Sequence, residues 1–171
     1  MNIGSYAAAF PARDTFYLGL SRSFYDSYAL FRNIFEEAGN FLGEDLMEVA
    51  YQKPESRVEL HTVCLITHCY GIYKILEDHL PQPLMSIGFS QGEFTAVTAA
   101  GSLPFPTVLR LVYDLEKLLI ANHTIRQGTM ARIVELSRDE LARCIHEVDP
   151  EGTRVALAMQ FSNDQNIVSG D

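Results

Sequence analysis

Basic residues are in short supply in this chain: 13 Lys and Arg stand against 22 Asp and Glu in 171 residues, a formal net charge of −9. A surface of that sign is repelled by polyanions, which excludes non-specific binding to nucleic acid or to an anionic membrane. Cysteine is scarce too. Cys64, Cys69 and Cys144 form no Cys-x-x-Cys pair, and an odd count fits reduced intracellular thiols packed as small core residues better than a disulfide framework. No uninterrupted apolar stretch is long enough to cross a bilayer. The first ten residues lack a basic n-region and run at once into Pro11, so they read as a first strand and not as a signal peptide, with the cytoplasm as the default location. Glycine-rich phosphate loops are missing, and no two histidines stand at i, i+4 beside a helper carboxylate, so neither a nucleotide, a metal nor another cofactor is expected. What the chain does have is 47% hydrophobic residues, enough to build a core in one domain or in one domain and part of a second.

Periodicity divides that material into elements. Ile3 to Phe10 reads as a buried strand ended by Pro11, and residues 14–23 as loop. From Phe24, the positions Tyr28, Phe31, Ile34, Phe35 and Ala38 predict one helix up to Gly39, its aromatic stripe serving as core. A second helix spans about Val58 to Leu80 and stops before Pro81 and Pro83. Leu84 to Ile87 is a short strand, Phe94 to Ala100 a helix, and Pro106 to about Ala121 an amphipathic helix. After Gly128 the character changes. Met130 to Leu136 alternates like a strand, Ser137 to Glu140 is a capping box opening a helix to about Val148, and Arg154 to Phe161 and Ile167-Val168 are strand-like. That β-α-β-β order is the beginning of a ferredoxin-like unit.

Chemistry concentrates at Gly88-Phe89-Ser90-Gln91-Gly92-Glu93, between the short strand and the next helix. A serine flanked by glycines at a strand-to-helix turn is the arrangement of a nucleophile elbow. The glycines allow a sharp turn, the Oγ of Ser90 stands exposed, and the backbone N–H of Gln91 with the positive end of the helix can receive an oxyanion. Glu93 serves the start of the helix. His61 and His68 lie on one helix and read as partly buried, hydrogen-bonded side chains; His79 and His123 sit near helix ends, and His146 on the surface of the later helix.

Several separated segments resemble the acyltransferase family typified by malonyl-CoA:acyl-carrier-protein transacylase, which includes the acyltransferases of polyketide synthesis. They are Phe10-Pro11, Phe35 to Ala38, Leu42-Gly43 with Asp45-Leu46, Gly88 to Glu93, Ala99 to Gly101 with Leu103 and Phe105, Arg110 to Val112, Gly128 with Met130-Ala131, and Asn163 to Gly170. They fall in the family's order over almost the whole chain. The resemblance implies an α/β fold: an α/β-hydrolase-like acyltransferase core over residues 1–126 and a partial ferredoxin-like subdomain over residues 127–171. It also implies a ping-pong transfer in fatty-acid or polyketide biosynthesis, in which Ser90 takes an acyl group from an acyl-CoA and a carrier protein's phosphopantetheine thiol removes it. An acidic carrier would have to dock on a local basic patch, because the chain repels it overall.

Departures from the family's pattern fall on the expected site. Where the family reads Phe-Pro-Gly-Gln-Gly-Ser-Gln, this chain has Phe10-Pro11-Ala12-Arg13-Asp14-Thr15-Phe16, so Arg13 stands in place of the oxyanion-lining glutamine. Phe89 replaces the histidine before the nucleophile, and His61-Thr62-Val63-Cys64 replaces Thr-Gln-Pro-Ala. The arginine that pairs the malonyl carboxylate aligns with Leu115, followed by Glu116. A carboxylate buried beside Leu115 would lack its bidentate partner, which disfavours malonyl as the acyl group. Arg13, Thr62, Phe89 and Leu115 are therefore the expected substrate-binding positions, with Ser90 and Gln91 catalytic. The family's catalytic histidine lies beyond the ferredoxin-like insertion in which this chain stops, so the general base is expected outside it. Two rival functions remain: an acyl hydrolase that clears acyl groups from carrier proteins, and a non-catalytic acyltransferase-like binding module.

Overall fold

The computed structural model describes residues 5–51, 57–125 and 128–171. The chain divides into two compact units, one up to Ile120 and one from Ala121 onward. The expected boundary between residues 126 and 127 lies outside the described residues, as does the start of the first strand at Ile3.

In the first unit, β1 (Ala7–Phe10) pairs in parallel with β2 (Met85–Gly88), in the register Ala7 to Met85 through Phe10 to Gly88. Parallel strands need a long crossover, and here it is helical: α1 (Arg22–Ser27), α2 (Ala29–Leu42), α3 (Leu46–Tyr51) and α4 (His61–Glu77). After β2 come α5 (Gly92–Ala99) and α6 (Phe105–Ile125). The helices share one core, in which Phe31, Leu60, Val63, Cys64, Val108 and Val112 are fully buried. Burying a large apolar side chain contributes roughly 1.5–3 kcal/mol, so this cluster holds the unit together far more than its four pairs of strand residues do. A Cβ on Gly71 of α4 would lie 2.6 Å from the Phe31 ring, so the close crossing of α2 and α4 requires glycine there.

The single helix expected from Phe24 to Gly39 is two. Tyr28 is extended (φ −122°, ψ 111°) between α1 and α2. Arg32 makes the break favourable: its Nε and Nη2 donate to the carbonyl of Tyr25 at 3.2 and 3.1 Å, satisfying an acceptor that the end of α1 leaves open. The aromatic stripe splits accordingly. Phe31 and Phe35 are core, with ring centroids 5.2 Å apart, whereas Tyr28 is 46% exposed. The expected loop at residues 14–23 contains a 3-10 turn at Arg13–Thr15 and the start of α1, and the helix expected from Val58 begins as a 3-10 turn at Val58–Leu60.

The second unit holds β3 (Thr129–Val134), α7 (Arg138–Val148), β4 (Val155–Ser162) and β5 (Gln165–Gly170). Its antiparallel sheet runs β3-β5-β4, and the β-α-β-β order is the one the sequence pattern indicated. The capping box forms: Ser137 Oγ accepts from the Glu140 N–H at 3.3 Å, and the Glu140 carboxylate accepts from the Ser137 N–H at 3.1 Å. Asp149 then accepts from the backbone N–H groups of Arg154 and Val155 at 2.6 and 2.9 Å, which hold its carboxyl below the usual carboxylate range. Among the described residues no helix is long and apolar enough to cross a membrane.

Candidate functional site

The turn between β2 and α5 is built by close backbone approach. A Cβ on Gly88 would stand 2.1 Å from the Glu93 nitrogen, and one on Gly92 would stand 2.3 Å from the Phe10 carbonyl oxygen and 2.6 Å from that of Pro11. Neither position tolerates a side chain. The end of β1 thus braces the turn, and the Phe89 N–H donates to the Phe10 carbonyl at 2.9 Å. The left-handed conformation itself falls on Ser90, at φ 53°. For a residue other than glycine such a backbone costs on the order of 1–3 kcal/mol and persists only where its surroundings impose it. The glycines make room for the turn; the serine carries its strain.

Ser90 is exposed, and its Oγ donates to the Gln91 side-chain oxygen at 2.7 Å. Gln91 is the N-cap of α5, so its N–H lies at the positive end of that helix. The Gly92 and Glu93 N–H groups are taken by the carbonyls of Phe89 and Ser90, at 2.9 and 3.0 Å. Phe89 is half exposed beside the serine, and Glu93 occupies the first turn of α5, where a carboxylate favours the dipole.

A second polar group sits in the same unit. Glu116 of α6 is only 3% exposed; its carboxylate accepts from Thr62 Oγ1 of α4 at 2.7 Å and from Arg13 Nη1 at 3.2 Å. Thr62 is fully buried, whereas the Arg13 side chain is 44% exposed. The turn carrying Arg13 follows β1 directly, and Pro11, whose carbonyl packs on Gly92, is two residues away. Two residues span at most about 7 Å of backbone, so this cluster and the elbow lie at the same end of β1. Leu115, next to Glu116, is half-buried.

Of the six expected site residues, the structure sets Phe89, Ser90 and Gln91 on one turn and joins Arg13 to Thr62 through Glu116. Glu116 is the residue that sequence reasoning passed over. Its signal was present: it lies four residues after Val112, in the buried phase of α6, and a charge there requires a partner. That the partner is Arg13, 103 positions earlier, no local pattern reveals.

His68 and His146 are placed as expected. His68 is 6% exposed and shares a 3.0 Å hydrogen bond with Ser21, and burial pushes its pKa down to about 4. His61 stacks on Phe16 at 5.1 Å, and His146 is exposed on α7. The His123 side chain lies outside the described residues. The cysteines need one correction. Cys64 is buried, half-buried Cys69 lies beside the core, and burial raises both thiols to about 12, but Cys144 is exposed on the outer face of α7 and is no core residue. Between β1 and α4 lies an apolar cavity of about 650 Å³, lined by Ala8, Phe10, Leu65, Cys69, Ile72 and Tyr73.

No family model matches the chain. Curated proteins do: it is 28% identical over 171 residues to the malonyl CoA-acyl carrier protein transacylase of Escherichia coli O157:H7, covering 96% of this chain and 54% of that protein. To a protein of the same name from Bacillus subtilis it is 24% identical, over 98% of this chain and 43% of the other. The fold is that of the malonyl CoA-acyl carrier protein transacylase of Coxiella burnetii, with a TM-score of 0.87 and 26% identity over 97% of this chain and 54% of that one. A structure of a malonyl-transacylase in complex with a type II polyketide synthase acyl-carrier protein matches with a TM-score of 0.85 and 26% identity, over 98% of this chain and 55% of that one. The chain spans about half the length of the curated relatives it matches. By sequence and by its mixed α/β fold, the chain is similar to the malonyl-CoA:acyl-carrier-protein transacylases over that shared stretch.

Proposed function

We propose that this chain carries the acyl-accepting serine of an acyltransferase that moves an acyl group from coenzyme A to an acyl carrier protein in fatty-acid or polyketide biosynthesis. One observation carries the reading: Ser90 is held at φ 53°, exposed on a turn whose flanking glycines touch backbone on both sides. Backbone strain at residues other than glycine clusters at functional sites, and here it falls on an exposed hydroxyl. The relatives named for transacylation, and the fold neighbour solved with its carrier protein, support coenzyme A thioesters and a carrier as the two substrates.

In the first half-reaction Ser90 Oγ bonds to the thioester carbonyl carbon, the C–S bond breaks, and the hydroxyl proton ends on the departing coenzyme A thiolate. The negative charge that builds on the carbonyl oxygen is met by the Gln91 N–H at the N-terminus of α5. The carrier thiol then repeats the exchange in reverse.

For the acyl group itself we propose one without a free carboxylate. Leu115 places no cation at its position, and Arg13 is already paired with Glu116. The relatives carry malonyl in their names and lend this finer reading no support; it rests on these side chains. Phe89 and Arg13 would line the bound acyl group, whereas Thr62, fully buried and bonded to Glu116, acts only through that carboxylate. The three free cysteines are in keeping with a cytoplasmic setting.

The test is acyl transfer by the natural protein from a panel of acyl-CoAs to a carrier with its phosphopantetheine thiol, beside Ser90→Ala. Acyl-carrier formation lost in the variant is the expected result. Free acid released with or without the carrier would indicate the hydrolase. Neither product, from folded protein, contradicts the reading and leaves a binding module.

A further inference from the structure

Glu116 is the most deeply buried carboxylate of the first unit among the described residues, at 3% exposed, and it lies at the same end of β1 as Ser90. A carboxylate at that depth is costly unless its oxygens are occupied. Each has a partner on a different element: Thr62 Oγ1 on Oε1 at 2.7 Å, and Arg13 Nη1 on Oε2 at 3.2 Å. The pair is asymmetric. Glu116 is enclosed, while nearly half of the Arg13 side chain is open to solvent and only one of its five N–H donors is used on Glu116.

An acyl group bearing its own carboxylate, bound at Ser90, would seek this guanidinium as its counter-charge. It would find Glu116 already there, and the two like charges would share one partner beside the enclosed Glu116. An uncharged acyl group meets neither an unpaired charge nor a repulsion.

We propose that Glu116 is the residue that selects the acyl group: its carboxylate occupies Arg13 in place of a substrate carboxylate, so the site accepts uncharged acyl thioesters and turns away carboxylated ones such as malonyl. Thr62 positions Glu116 for this role. Neutralising Glu116 releases Arg13 and makes the site one that binds carboxylates. The inference deepens the function proposed above and rests on Ser90 being the acyl acceptor.

Equilibrium binding separates it from the chemistry. The natural protein carrying Ser90→Ala is titrated calorimetrically with acetyl-CoA and with malonyl-CoA, whose common part cancels in the ratio of their affinities. Acetyl-CoA is expected to bind at least as tightly as malonyl-CoA. Glu116→Gln, which keeps the shape and the Thr62 bond, is expected to tighten malonyl-CoA about tenfold relative to acetyl-CoA, the worth of one charge-assisted hydrogen bond. Adding Arg13→Gln is expected to cancel that gain.

A preference of the Ser90→Ala protein for malonyl-CoA by about tenfold or more overturns the proposal, as does a ratio that Glu116→Gln leaves unchanged. Should Glu116→Gln not fold, Arg13→Gln alone decides: it is expected to weaken malonyl-CoA further while sparing acetyl-CoA, and a relative gain for malonyl-CoA contradicts the selection. Intact mass of the protein with Ser90 present distinguishes the two failures. Selective binding without any adduct on Ser90 refutes the acyl-acceptor reading alone, whereas an adduct formed equally from both thioesters refutes the selection alone. Binding of neither thioester by folded protein overturns both.

Discussion

The elbow and the Glu116 cluster, both braced at the end of β1, solve the placement of polar groups in opposite ways. At the elbow, backbone holds an exposed side chain: Ser90 has one side-chain bond, to its neighbour Gln91, and its position comes from the approach of Phe10 and Pro11 to Gly92. In the cluster, side chains from two elements hold a buried one on a third, with Thr62 and Arg13 satisfying Glu116. The first arrangement leaves its functional atom free to react; the second leaves Glu116 no free oxygen, which suits selection and not proton transfer.

Changes to the backbone of the elbow should do the most damage. Gly88→Ala puts a methyl 2.1 Å from the Glu93 nitrogen, where only main chain could move aside. A loss of about 3 kcal/mol in chemical denaturation, together with loss of acyl-enzyme formation, is the expected outcome. A melt unchanged from the parent would show that the turn is looser than its geometry.

Thr62→Val removes a donor from a buried carboxylate without changing volume, at an expected cost of about 1–3 kcal/mol. Arg13→Gln removes a partner that is 44% exposed, and solvent can compensate in part, so its cost should be smaller, below about 1 kcal/mol. The reverse order would mean that the cation, and not the hydroxyl, holds Glu116.

Ser90→Gly should act with the opposite sign. Glycine adopts φ 53° without strain, so the variant is expected to be more stable by about 1 kcal/mol while forming no acyl adduct. Stability bought at the expense of activity is the signature of a strained functional residue, and a destabilised Ser90→Gly would remove that argument.

His68 adds a third arrangement, a buried polar group kept neutral. Burial lowers its folded pKa from 6.5 to about 4, so between these values the unfolded chain binds the extra proton. Its contribution to stability is therefore complete above about pH 6.5 and is lost as the pH falls towards 4. Melting curves across that window should show a slope that His68→Gln reduces; an equal slope in the variant would mean that other groups set the acid limb.

The same contrast explains what could be read from the sequence. The elbow is six consecutive residues whose glycines and flanking runs are all local, and so are the capping box at Ser137 and the strands of the second unit, which the alternating pattern located to within two residues. The division at Tyr28 was not legible, because it depends on Arg32 folding back onto the Tyr25 carbonyl where the apolar spacing continues unbroken. Helix α3 was missed as well: it has six residues, and its start is fixed by Asp45 Oδ1 accepting from the Glu48 N–H at 2.9 Å, too short a segment to show a period. Arg13 and Thr62 were singled out through the family resemblance, yet the carboxylate that joins them was not, since its partners are 103 and 54 positions away.

The most direct measurement of the central claim is the mass of the natural protein after brief incubation with an acyl-CoA, followed by peptide mapping of any adduct and with Ser90→Ala in parallel. The account predicts a single acyl group on the peptide containing Ser90 and none on the variant. An unmodified protein, or an adduct that survives in Ser90→Ala, would contradict it.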